Sequence, residues 1–403
     1  MQINENQEKK IIESLIDNTP GTNQHIECSG IYGSEKAYLV SRLYQKLKKS
    51  LAVVLSSPKE TETFIEDLNF FSKKLQFPIL YFIPYNILPF KFVSYHTKTS
   101  AERIRVLYNL MNHELPVITI TTINALQQKI IPRQELSDFA ELVMTEEETN
   151  RDILIEKLIA GGYVRTAIVE EPGDFCVRGG ILDVFSPLYP EPLRIEFFGD
   201  MVESLRLFSA STQRTLQPVN EAVILPAKET ILKMEEFDGI FNRIRKQAAR
   251  SDIPANQVRD IIEQIQKNGI YSGIESLSPL IYPKLDSLFD YMPDDSVYIL
   301  SEPEKLEKAA IDFSSQALNN YSEACARGKL CVEPDMLYMG WPEIEKKLEP
   351  EKSLSIKMLS VSKTGLEPSG QDYFFSIQDN SSIRNSIESS QEKENLFYPL
   401  QTG

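Results

Sequence analysis

The sequence predicts an α/β fold: a parallel-sheet domain, an inserted β-rich domain and a mainly helical return segment. Three observations carry this. Short continuous apolar runs alternate with amphipathic helical patterns in the first third of the chain. Proline and glycine punctuate short strands from 163 to 209. Beyond residue 221 the periodicity becomes mainly helical.

The apolar runs are LAVVLSS (51–57), ILYFIP (79–84) and VITITTI (117–123). Each has the length of a strand and is predominantly apolar, as in a strand covered on both faces. Between the strands, Val40, Leu43, Tyr44 and Leu47 share one helical face, and Phe64, Ile65, Leu68, Phe71 and Leu75 share another. Such spacing marks a helix with one apolar stripe. Strand–helix–strand repetition calls for parallel strands joined by right-handed crossovers.

The pattern changes near Asn124. A helix is predicted around 152–160, then an antiparallel meander over YVRTAIVEEPGDFCVRGGILDVFSPLYPEPLRIEFFGDMVESLRLFS (163–209). The turn residues between short alternating runs are its signature. Gly179 and Gly180 lie inside a strand pattern, where paired glycines predict a bulge or a close backbone approach. Helices are predicted near 234–250 and 256–267, and VYILSEPEKLEKAAIDF (297–313) reads as a strand followed by a helix. From about residue 349, Ser, Gln, Glu and Lys dominate, as in a linker. The expected division is 1–123 for the sheet domain, 124–212 for the β-rich domain, 213–345 for the helical segment, and 346–403 for a linker with an incomplete C-terminal unit. No internal repeat is present.

The 403 residues carry a net charge of −15, which argues against a generic nucleic-acid binder. Affinity for nucleic acid without regard to sequence comes mostly from Lys and Arg neutralising phosphates. A small basic cluster, Arg42, Lys46, Lys48 and Lys49, also suits a helix C-terminus. Cys28, Cys176, Cys325 and Cys331 form no CxxC pair, and His25, His96 and His113 have no metal-binding spacing. Neither a zinc site nor a thioredoxin motif is expected. The spacing of Asp174, Asp183 and Asp200 fits no calcium loop. They read as turn and strand-edge residues, and no metal site is predicted. The N-terminus lacks a signal-peptide core, and no apolar run approaches the ~18 residues of a membrane span. A cytoplasmic protein without a membrane partner is expected.

The stretch GIYGSEKAYLV (30–40) is close to a phosphate-binding loop opening a helix. A working loop, GxxxxGK[ST], uses glycines for backbone approach, lysine for the β/γ oxygens and a hydroxyl for Mg²⁺. Here Gly30, Gly33, Ser34 and Lys36 survive, but the second glycine has become Glu35 and the hydroxyl residue Ala37. A carboxylate at ~4 Å from a phosphate repels it by roughly 4 kcal/mol per charge pair at an effective dielectric near 20. Glu35 is instead expected at the positive helix N-terminus, paired with Lys36 or a nearby arginine. The dipeptide Asp-Glu, the usual acidic pair of a translocating ATPase, is absent, as is any Gly-Arg step. The loop is therefore predicted to keep the fold of a nucleotide site without its chemistry, and no cofactor is expected.

FCVRGGILDVF (175–185), followed by RIEFFGDMVE (194–203), resembles a segment shared by two bacterial repair families, UvrB and the transcription-repair coupling factor, often called Mfd. UvrB keeps an intact phosphate loop and a long aromatic hairpin, and this chain has neither. LPFKFVSYHTKTSAERIRVLYNL (88–110), SASTQRTL (209–216) and GIESLSPLIYPKLDSLFDYMP (273–293) are similar to the coupling factor. The resemblance spans roughly residues 20 to 345. It implies an N-terminal UvrB-like module that recruits the repair ATPase UvrA to stalled RNA polymerase for nucleotide excision repair, without an ATPase of its own. It also implies that ATP, Mg²⁺, RNA polymerase and DNA belong to domains outside this sequence.

By motif, the resemblance places UvrA contact on Arg178, Arg194 and Phe198. Arginine forks and exposed aromatics are common interface anchors. Two alternatives stay open. The arginines are ordinary sheet-surface residues paired with Glu171, Glu196 or Glu203; or the chain is part of an ATP-dependent DNA translocase or UvrB-like helicase that binds nucleotide and DNA. Strand alternation places Glu196 and Phe198 on one face, with Ile195 and Phe197 on the other. Phe197 is then the core residue and Phe198 the exposed one.

Overall fold

A computed structural model of the chain describes residues 5–16, 25–72, 78–85, 87–93, 95–358 and 371–374. Leu75, and most of the expected C-terminal linker (359–370 and 375–403), lie outside the described residues.

The first unit runs α1 (Glu5–Ile16), β1 (His25–Ser29), α2 (Ser34–Leu47), β2 (Leu51–Leu55), α3 (Pro58–Ser72), β3 (Ile79–Phe82), α4 (Thr97–Asn112) and β4 (Ile118–Thr122). Strand and helix alternate as the apolar periodicities require. In β2 all five residues are buried. Leu51, Val53 and Leu55 face one apolar cluster, and Ala52 and Val54 the other. The sheet is thus covered on both sides, which is why its strands read as unbroken apolar runs.

From β4 the chain passes through α5 (Ile123–Leu126) and α6 (Arg133–Phe139) into β5 (Glu141–Met144) and α7 (Arg151–Ala160). The Asn150 side chain accepts the N–H groups of Asp152 and Ile153 and caps α7. The β-rich unit follows: β6 (Val164–Arg165), β7 (Asp174–Arg178), β8 (Ile181–Val184), β9 (Leu193–Phe198), β10 (Met201–Phe208) and β11 (Thr215–Pro218). These form a six-stranded sheet in the order β11-β10-β9-β8-β7-β6. Strands β7 to β11 are the antiparallel meander, and β6 adds in parallel at one edge. Its core face joins Phe175, Leu182, Ile195 and Phe197 to Leu154 and Leu158 of α7. β12 (Glu221–Ile224) returns to pair with β5.

The helical segment carries α8 (Phe237–Arg250), α9 (Ala255–Asn268), α10 (Ser278–Ile281) and α11 (Leu288–Tyr291). It then contributes β13 (Val297–Ser301) and α12 (Pro303–Ala326), followed by α13 (Pro334–Leu337), α14 (Trp341–Leu348), β14 (Lys352–Lys357) and β15 (Gln371–Phe374). The large sheet has the order β15-β1-β14-β13-β2-β4-β3, and every pairing in it is parallel.

One expectation needs correcting. Residues 352–357 are not linker: β14 lies between β1 and β13 in the middle of the large sheet. The sequence KSLSIK hides this because alternate positions are serine. Ser353 and Ser355 are buried and polar, and both hydroxyls are satisfied by the ring nitrogens of His25 on β1, at 2.7 and 3.1 Å. The sheet domain is therefore discontinuous in sequence, since β13 and β14 complete a sheet begun by β1 to β4. Among the described residues, no helix is long and apolar enough to cross a membrane.

Candidate partner-binding face

Strands β7 to β10 bury one face against α7, and among the described residues no helix covers the other. Register brings specific side chains together on this outer face. Asp183 is directly opposite Arg194, Ile181 opposite Glu196, and Ser204 and Arg206 of β10 opposite Glu196 and Arg194. Arg178 ends β7, opposite Ile181.

Asp183 organises the cluster. It is only 1% exposed. Its Oδ1 accepts Arg194 Nε at 2.6 Å, and its Oδ2 accepts Arg194 Nη2 at 2.8 Å and Arg178 Nη2 at 2.5 Å. The bidentate fork fixes the Arg194 plane, which also lies 4.5 Å from the Phe208 ring centroid. Hydrogen bonding to Asp183 raises the Arg194 pKa further above its ordinary value. Next to it, Glu196 accepts Ser204 Oγ at 2.6 Å and pairs with Arg206. The Ser204 hydrogen bond holds the Glu196 carboxyl below its usual range, with Arg206 helping. Three arginines against two carboxylates leave one positive charge in excess. Arg178 is the arginine able to present it: its side chain is half-exposed, while Arg194 is mostly buried.

Phe198 supplies the apolar part. It is 80% exposed, whereas Phe197 is 9% exposed and in the core, as the alternation predicts. Phe198 pairs with half-exposed Met201 across the tight turn of Gly199 and Asp200. Gly199 has φ +63°, as that turn demands. Gly179 and Gly180 form a second two-residue turn, between β7 and β8, and not a bulge within a strand. Gly179 has φ +59°, and a Cβ on Gly180 would come within 2.8 Å of the Phe197 carbonyl oxygen. This close approach lets Gly180 O accept the Phe197 N–H at 2.8 Å. Both turns lie at the same end of the sheet, so Arg178 and Phe198 share one rim.

The arginines do not pair with the acids named from the sequence. Glu171 pairs with Lys98 and Glu196 with Arg206. Asp183, read as a turn or strand-edge residue, is the partner of both arginines. Its sequence signal was the alternation Ile181–Asp183–Phe185, which sets an acid on the outer face; only the register with β9 shows what it meets. Asp174 and Asp200 do sit at turns, and the Asp174 side chain accepts the N–H groups of Glu170 and Glu171. Among the described residues, no group of His, Cys, Asp and Glu is arranged to hold a metal ion.

The loop at 30–37 opens α2 at Ser34, with Gly30 and Gly33 at φ +87° and +56°. Ala37 is fully buried. Glu35 does not pair with Lys36. Its Oε2 lies 3.5 Å from the Tyr32 backbone nitrogen, and burial pushes its carboxyl pKa up. Lys36 Nζ turns instead to the end of β13, donating to Ser301 Oγ at 2.9 Å and Glu302 Oε1 at 3.0 Å. Glu60 Oε1 stands 3.7 Å away.

Residues 142–229 match the UvrB interaction domain family, a span that runs from β5 through β12 and contains the whole outer face. The chain is 27% identical over 386 residues to a transcription-repair-coupling factor of Myxococcus xanthus, covering 94% of this chain and 32% of that protein. A transcription-repair-coupling factor of Escherichia coli (strain K12) is 25% identical over 332 residues, 79% of this chain and 28% of its own length. That of Bacillus subtilis (strain 168) is 25% identical over 308 residues, covering 72% and 26%. The chain thus spans about a third, or less, of the length of these relatives. A segment that matches the UvrB interaction domain thus lies at the centre of a chain that resembles transcription-repair-coupling factors over most of its length.

Proposed function

We propose that this chain is a protein-interaction module that recruits UvrA through the outer face of β7 to β10, and that within a transcription-repair-coupling factor it brings UvrA to stalled RNA polymerase for nucleotide excision repair. One observation carries the reading. In a domain of the UvrB interaction family, two arginines locked on one buried aspartate share the outer sheet face with a phenylalanine that is 80% exposed. A large exposed aromatic next to a preorganised arginine is the composition of an interface anchor. Among the described residues, only Nη2 of Arg178 is bonded to a side chain, so its remaining donors suit a carboxylate on the partner.

In the same reading the chain has no ATPase of its own. Lys36 is engaged by the chain's own oxygens, and Ala37 offers a metal no ligand. ATP, Mg²⁺, DNA and RNA polymerase are then the business of other domains of the longer relatives, and the UvrA-binding module acts at the protein level. The test is a titration of the purified chain into UvrA without DNA or nucleotide, with an ATPase assay on the chain alone. A saturable complex with no ATP turnover is the expected result. The reading fails if UvrA does not bind, or if the chain hydrolyses ATP in a way that Lys36→Ala abolishes.

A further inference from the structure

In a working phosphate loop the lysine reaches the phosphates, while an acid at the end of a buried strand holds Mg²⁺. β13 is such a strand. All five of its residues are buried, and it ends in Ser301, followed by Glu302, directly against Lys36. Ser301 Oγ accepts from Lys36 and donates onward to Glu60 Oε1 at 3.0 Å. Glu60 Oε2 accepts from Ser56 N and Oγ at 3.2 and 2.8 Å. Glu302 Oε1 also accepts the Met358 N–H at 3.0 Å. One ammonium and two carboxylates therefore tie together the loops that open α2, α3 and α12, and the end of β14. Glu302 holds φ +52°, a conformation that a non-glycine residue keeps only where its surroundings impose it.

We propose that Ser301 and Glu302 occupy the place of the acidic pair of a nucleotide-hydrolysing site, and that Glu302 and Glu60 hold Lys36 where a phosphate chain would. The site is locked shut by the chain's own carboxylates. Ser301 brings no charge to a metal where an aspartate would, and Glu302 is committed to Lys36 and the Met358 N–H. Space is not what excludes a phosphate chain: an open cleft of about 380 Å³ adjoins Lys36, lined by Gly33, Ser57, Lys59, Glu60 and Asp67 among others. Charge excludes it. The inference rests on the reading that the loop binds no nucleotide, and it names the residues responsible.

The test uses the full chain, with inorganic pyrophosphate as the probe and melting temperature as the readout. Millimolar pyrophosphate leaves the wild type unshifted. E60Q/E302Q removes both carboxylates and gains pyrophosphate affinity by at least about tenfold, and adding K36M to this variant abolishes the gain. A second arm needs no ligand. K36M strands two carboxylates and lowers the melting temperature, and K36M/E302Q recovers at least half of that loss. The lock is overturned if folded E60Q/E302Q binds pyrophosphate no better than wild type, or if K36M and K36M/E302Q melt alike. Wild-type binding of pyrophosphate or Mg-ATP that K36M removes would sink the non-binding reading itself, a different outcome from failure of the variants alone.

Discussion

At the scale of single residues, Asp183 carries more than its sequence suggests. Buried at 1% exposure, it takes three hydrogen bonds from two arginines. Removing one partner of a buried ion pair leaves an uncompensated charge, at a cost of roughly 3 kcal/mol. Asp183→Asn is expected to lower unfolding stability by about that much and to weaken UvrA binding, because Arg178 and Arg194 lose their common anchor. Urea unfolding checks the first part, and a stability change within experimental scatter would remove Asp183 from the account. Glu275 shows the opposite case. Its carboxylate is buried and burial pushes its pKa up. A folded-state pKa above the unfolded one gives a contribution present below the usual carboxylate range and lost as pH rises through the raised value. Glu275→Gln should therefore melt higher than wild type at pH 8, with the difference shrinking towards pH 4. Equal melting at pH 8 would contradict the burial argument.

At the scale of elements, period and position decided what could be read. β2 and β4 were legible as apolar runs because both of their faces are covered, β3 as a half-buried apolar edge strand, and β9 because its alternation puts Phe197 in the core and Phe198 outside. That facing gives a paired prediction. Phe197→Ala should cost about 3–5 kcal/mol, whereas Phe198→Ala at an exposed site should stay within about 0.5 kcal/mol. Chemical denaturation separates the two, and reversed effects would invert the strand. β14 was not legible, because its buried partners are polar: Ser353 and Ser355 satisfy His25 from a strand far away in sequence. At Gly179 and Gly180 the expected close backbone approach is present, against Phe197, but in a hairpin turn and not a bulge. Paired glycines fit a bulge or a hairpin equally well until the register of β7 with β8 is known.

At the scale of the whole molecule, the large sheet closes only when the chain returns. β1 pairs with β14 and β15, and β14 alone joins β1 to β13. A chain ending at residue 350 should lose most of its melting cooperativity, because the strand that connects β1 to the rest of the sheet is missing. A truncated chain that melts like the full one would show that β14 adds nothing to the fold. The long-range arrangement of Lys36 with Glu302 was equally out of reach from sequence. The sequence shows that the loop is degenerate, but only the neighbouring strand order reveals what fills it. The residues proposed to face UvrA were legible only through resemblance, since Arg178 and Arg194 alone look like any surface arginines. The proposed function stands or falls on whether Arg178 and Phe198 form one rim that binds UvrA. The most direct measurement is UvrA affinity for wild type, Arg178→Ala and Phe198→Ala, each with its melting temperature. Each substitution is predicted to weaken binding by about 2 kcal/mol or more, roughly thirtyfold, with melting nearly unchanged. Normal UvrA affinity in both folded variants would contradict it.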